Sequence, residues 1–109
     1  MAKVQISWRD NSDNEDSFKV YKSTSNPVTT SDALIAEVTL SGGTWSVSGS
    51  AANVALTSTN TTNSATTGEY FVISYDESAA GVYYYGVAAS NAVGDSLIVT
   101  STGSVTVVA

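Results

Sequence analysis

The sequence predicts an all-β fold, an antiparallel sandwich of two sheets in a single domain spanning residues 1–109. Three observations point there. Apolar and polar residues alternate along most of the chain, the period of a half-buried strand, and no window sustains the longer period of a helix. Clusters of Gly, Asn, Asp and Ser recur every ~8–12 residues, the spacing of short strands in a sandwich. Composition agrees: hydrophobic residues make up 42%, enough for one core, while only 13% are charged. Ser, Thr, Asn and Gly fill the remaining positions, as suits strands and turns.

Taken in order, residues 3–8 (KVQISW) put Val4, Ile6 and Trp8 on one face and Gln5 and Ser7 on the other. The Asp- and Asn-rich run 9–16 is a turn, because these side chains hydrogen-bond their own backbone. Residues 17–23 place Phe18, Val20 and Lys22 on one face, with Lys19 and Tyr21 opposite. A loop follows over 24–32, where Asn26-Pro27 blocks a helix. Residues 33–40 form a further strand, ending before Gly42-Gly43. Two short alternating runs, 44–49 and 53–58, predict an extra hairpin closed by SGSAAN. After the polar stretch 58–68, strands are predicted at 69–76 and 82–90, joined by a corner over 77–81. Past a turn at 91–96, residues 97–109 supply one or two last strands around Thr102-Gly103.

Charge and residue usage restrict function. A net charge of −6 with four Lys plus Arg leaves no basic surface to track phosphates, so nucleic acid is not an expected partner. An anionic membrane surface would repel the chain for the same reason, and no run approaches the ~18 apolar residues of a membrane span. The start, MAKVQISWRD, turns polar at once, which predicts no signal peptide, and Met1 reads as a native start. Cys and His are both absent. No disulfide, thiolate or imidazole chemistry is available, and Ser/His and Cys/His nucleophile pairs are impossible. Stability is expected from packing alone, and no cofactor is predicted.

Two stretches carry a family resemblance. The run ISWRDNSDNEDSFKVYKS (6–23) and the series Tyr83, Tyr85, Val87, Ala89, Asn91, Gly94 and Ser96 resemble fibronectin type III modules, immunoglobulin-like sandwiches, especially their bacterial and phage versions. In that family a Trp closes strand B, a polar loop follows, and strand C begins with an aromatic residue. The second series is similar to strand F and the F–G turn. The resemblance implies a structural core of Trp8, Phe18, Val20, Tyr83, Tyr85 and Val87, with Tyr83 as a tyrosine corner. It also implies that Tyr84, Gly86 and Ala88 face outward. Two departures stand out. Strand A is missing, because the chain starts almost at strand B, and a long insertion over 41–68 separates C′ from E.

Candidate sites follow from these departures. Trp45, Val47, Val54 and Leu56 in the insertion would form an apolar ribbon larger than a surface loop needs, which marks a partner-binding surface. The run holding Val4 and Ile6, with no strand A beside it, would be an open sheet edge able to pair with a neighbouring chain. Trp45 and the outward aromatics Tyr21 and Tyr84 could stack on sugar rings. Asp10, Asp13, Glu15 and Asp16 could offer oxygens to Ca²⁺, but lack the Gly and distal Glu of an EF-hand loop, so they read as a solvated turn. Asp76 and Glu77 lie in a corner with no apolar pocket to raise a carboxyl for glycosidase chemistry. Asn60-Thr61-Thr62 is a formal glycosylation sequon, relevant only to a secreted eukaryotic protein.

The expected function is therefore contact rather than catalysis. A Met-initiated, Cys-free module of this resemblance implies a non-enzymatic structural or accessory protein of a tailed-phage virion, a capsid decoration or a tail or fibre module. Its partners would be other virion proteins in the capsid or tail lattice, or copies of itself. The alternative is a carbohydrate-binding or adhesive module of a bacterial exported protein, at the cell surface or outside it.

Overall fold

A computed structural model describes residues 2–9, 16–42, 44–58, 70–91, 94–95, 99–100 and 103–108. Every regular element in it is a strand: β1 (Ala2–Arg9), β2 (Ser17–Ser23), β3 (Ala33–Ser41), β4 (Thr44–Ser48), β5 (Ala52–Ser58), β6 (Tyr70–Glu77), β7 (Gly81–Asn91), β8 (Gly94–Asp95), β9 (Val99–Thr100) and β10 (Val105–Val107). They form two antiparallel sheets packed face to face. One is three-stranded in the order β1-β6-β5; the other runs β10-β7-β2-β3-β4, with β8 and β9 also pairing with β7. The fold is an all-β sandwich.

Alternation builds the core. From β1, Val4 and Ile6 point between the sheets; from β6, Phe71, Ile73 and Tyr75 do. Phe18 and Val20 of β2, Ala36 and Val38 of β3, and Tyr83 and Tyr85 of β7 meet them from the opposite sheet. The largest fully buried side chains are Phe71, Ile73, Val20 and Val38. Trp8 and Val87 are only partly buried and pack against this cluster. Phe71 is the hub of the aromatic end: its ring lies 4.8 Å from those of Phe18 and Trp45 and stacks on Trp8 at 5.6 Å.

The hairpin expected within 44–58 does not form. β4 pairs with β3, bringing Trp45 opposite Leu40 and Val47 opposite Val38, whereas β5 pairs with β6 in the other sheet. Residues 49–51 instead cross from one sheet to the other. A β-bulge in β3 guides the crossing: Val20 faces Ala36 and Tyr21 faces Leu34, so Ile35 is the extra residue. The carbonyl of Ile35 accepts the Ala51 N–H at 3.1 Å. Gly49, with φ of 151°, passes so close that a Cβ would sit 2.3 Å from that carbonyl oxygen.

The outer face of β2 and β7 is also covered, contrary to the expectation that Tyr84, Gly86 and Ala88 face solvent. Tyr21, Val28 and Ala88 form a second buried cluster, with Tyr84 packed against it. The physical reason is the β2–β3 connection, which folds back and lays Val28 on this face. Its turn is tied by Thr29 N–H to Asp32 Oδ2 at 2.8 Å, and by Asp32 N–H to the Thr29 carbonyl at 3.0 Å.

Candidate interaction edge

The apolar ribbon expected at the insertion is not an exposed surface. Trp45 keeps 6% of its surface exposed and belongs to the core, and Val47, Val54 and Leu56 pack against it. The cause is the crossing at 49–51, which puts β4 and β5 on different sheets with their apolar sides turned inward. Val4 and Ile6 are likewise core residues, at 5% and 8% exposure. Their side chains are therefore spent on packing, and what β1 can offer a partner is its backbone. The large exposed apolar residues among those described are Leu34, Val82 and Val108, none of them candidates from the sequence.

The acidic candidates divide. Asp10, Asp13 and Glu15, and the sequon at Asn60, lie outside the described residues. Asp16 is exposed and acts through its backbone, its N–H donating to the Ser90 carbonyl at 2.7 Å and its carbonyl accepting the Leu40 N–H at 2.9 Å. Among the described residues no group of His, Cys, Asp and Glu is arranged to hold a metal. The adjacent Asp76 and Glu77 point to opposite faces of β6, as neighbours in a strand must. Asp76 faces outward, accepting from Asn53 Nδ2 at 2.8 Å and pairing with Lys3 at 3.3 Å, and these hold its carboxyl below the usual range.

Glu77 faces the core, in a polar network that ties the sheets together at one end of the sandwich. Its Oε1 lies 2.6 Å from Lys22 Nζ of the opposite sheet and accepts the Tyr75 hydroxyl at 3.1 Å. The Tyr75 and Tyr85 hydroxyls meet across the sheets at 2.5 Å. Oε2 accepts the Ala79 N–H at 3.2 Å. Burial pushes the Glu77 carboxyl up, but Lys22, Ala79 and Tyr75 outweigh it and leave it below its ordinary value. Burial also raises both Tyr75 and Tyr85, keeping their hydroxyls protonated as donors. Beside this network the Tyr83 hydroxyl donates to the Ala79 carbonyl at 3.1 Å, four residues upstream, and Lys22 Nζ sits 4.7 Å over the Tyr83 ring. Every member is engaged with another, so the arrangement suits cross-bracing rather than chemistry on a substrate.

The sheet edges differ from one another in kind. An unpaired strand edge templates further pairing unless it is short, bulged or otherwise blunted. β4 is five residues long, and the strand pieces along the other edge of its sheet, β8, β9 and β10, have two, two and three. β5 is longer, but its register against β6 shifts twice and Asn53 sits at φ 54°. β1 has none of these features: eight residues pair with β6 in one unbroken register, from Ala2 opposite Glu77 to Arg9 opposite Tyr70, with no Pro or inward charge. Among the described residues no strand covers its other side.

Comparison with known proteins adds no relative: no family model, no curated protein and no solved structure matches this chain.

Proposed function

We propose that this domain is a non-enzymatic structural or accessory module of a tailed-phage virion, joining its assembly by protein–protein contact through the β1 edge. The observation that carries this reading is the contrast among edges: among the described residues, β1 is the edge strand that is both long and free of register shifts. The fibronectin type III-like assignment is supported by the strand order, in which β1, β6 and β5 would take the places of strands B, E and D, and β7, β2 and β3 those of F, C and C′. The Tyr83–Ala79 hydrogen bond supports it too. For the carbohydrate reading, Trp45 and Tyr21 are each 6% exposed and not free to stack on a sugar, while Tyr84 is partly buried against Tyr21, Val28 and Ala88.

Mass spectrometry of purified particles tests the proposal. The chain is expected at a copy number matching a capsid or tail lattice; its absence from particles that the same cells produce would overturn the virion assignment.

A further inference from the structure

We infer that the occupant of the β1 edge is the β1 strand of a second copy, paired antiparallel about a two-fold axis at Gln5. This rests on the reading of β1 as a contact edge, and it names the partner. Alternate residues of β1 direct their N–H and C=O groups away from β6, and among the described residues no strand pairs with them. Because Val4 and Ile6 are already buried, no apolar groove awaits a side chain from outside. The edge offers main-chain hydrogen bonds, which any strand could satisfy; the side chains on either side of it select which.

Three features favour a second copy. With the axis at Gln5, inward residues oppose inward ones: Ala2 meets the partner's Trp8, and Val4 the partner's Ile6. Outward, Lys3 meets the partner's Ser7, so no like charges face each other. Finally, Lys3 is already balanced by Asp76 at 3.3 Å, so the strand does not call for an acidic partner. The product would be one continuous sheet of order β5-β6-β1-β1-β6-β5, closed by two-fold symmetry so that growth stops at two copies.

The chain contains no Cys, so a single introduced thiol reports geometry without interference. Gln5 and Ser7 are both exposed, and Gln5→Cys and Ser7→Cys leave the core intact. Across the proposed axis Gln5 lies directly opposite its own copy, within disulfide reach, while Ser7 and the partner's Ser7 are about 13 Å apart along the ladder, beyond the ~7 Å limit. Under mild oxidation Gln5→Cys should shift from 11.2 kDa to about twice that mass, while Ser7→Cys stays monomeric. Equal cross-linking of both variants, or none, overturns the pairing. Hydrogen exchange on wild-type protein separates this failure from failure of the contact reading. Outward-facing β1 amides protected only in assembled particles would mean that another partner holds the edge; outward-facing amides exchanging freely in both would remove the edge itself as the contact. If Gln5→Cys cross-links but the chain is absent from particles, the dimer stands and the virion assignment falls.

Discussion

Phe71 touches the rings of Trp8, Phe18 and Trp45 and has no exposed surface, whereas Trp8 is half-buried at the end of the core. Truncating Phe71 leaves a cavity lined on three sides by rings that cannot collapse into it. Phe71→Ala should therefore cost roughly 3–5 kcal/mol, and Trp8→Ala less than that. Denaturant unfolding of the two variants checks the order; a larger loss for Trp8→Ala would contradict it. A second residue-level prediction concerns Glu77, whose carboxyl is held below its ordinary value in the fold. The folded state then binds fewer protons than the unfolded chain at acid pH. The stability from Glu77 is complete above the unfolded value and is lost as pH falls through the depressed native one. Stability curves from roughly pH 7 to pH 3 should show that loss in the wild type and a flatter profile for Glu77→Gln. Identical slopes would mean the Lys22–Glu77 pair contributes nothing.

At the level of elements, alternation made the strands legible: 3–8, 17–23, 33–40 and 82–90 all fall within observed strands. What alternation cannot state is which strand lies beside which. Trp45 with Val47 and Val54 with Leu56 read equally well as an exposed hairpin or as the lining of two sheets, because the pattern marks a shared face and not what that face meets. The determinant was the bulge at Ile35, which skips a residue in β3 and leaves a carbonyl for Ala51; in sequence it is one more apolar residue among several. Val28 was hidden in the same way, a lone apolar residue in a polar loop. The signal for Gly49 was present as a glycine between two alternating runs. Gly49→Ala would force its Cβ to 2.3 Å from the Ile35 carbonyl oxygen at a positive φ, so the crossing must shift. A loss of more than about 1 kcal/mol is expected, read as a lowered melting temperature. An unchanged melt would show that the crossing tolerates a side chain.

For the whole molecule, the strand at the edge was the part of the site that sequence reasoning could reach, because the alternation over 3–8 marks it out, and among the described residues β1 ends its sheet. The side chains of Val4 and Ile6 on that strand are buried in the core, so what the edge offers a partner is its backbone. Length, bulges and Pro set the character of each edge, and they become comparable only once the strand order is known. The central claim, that β1 presents an open edge, has a direct readout in amide hydrogen exchange of the dilute protein. Amides facing β6 should be protected and those facing away should exchange freely, giving a period of two along residues 3–8, and the free set should become protected on assembly. Strong protection of every amide from Lys3 to Trp8 in the dilute monomer would contradict the account, because the edge would then be covered within a single chain.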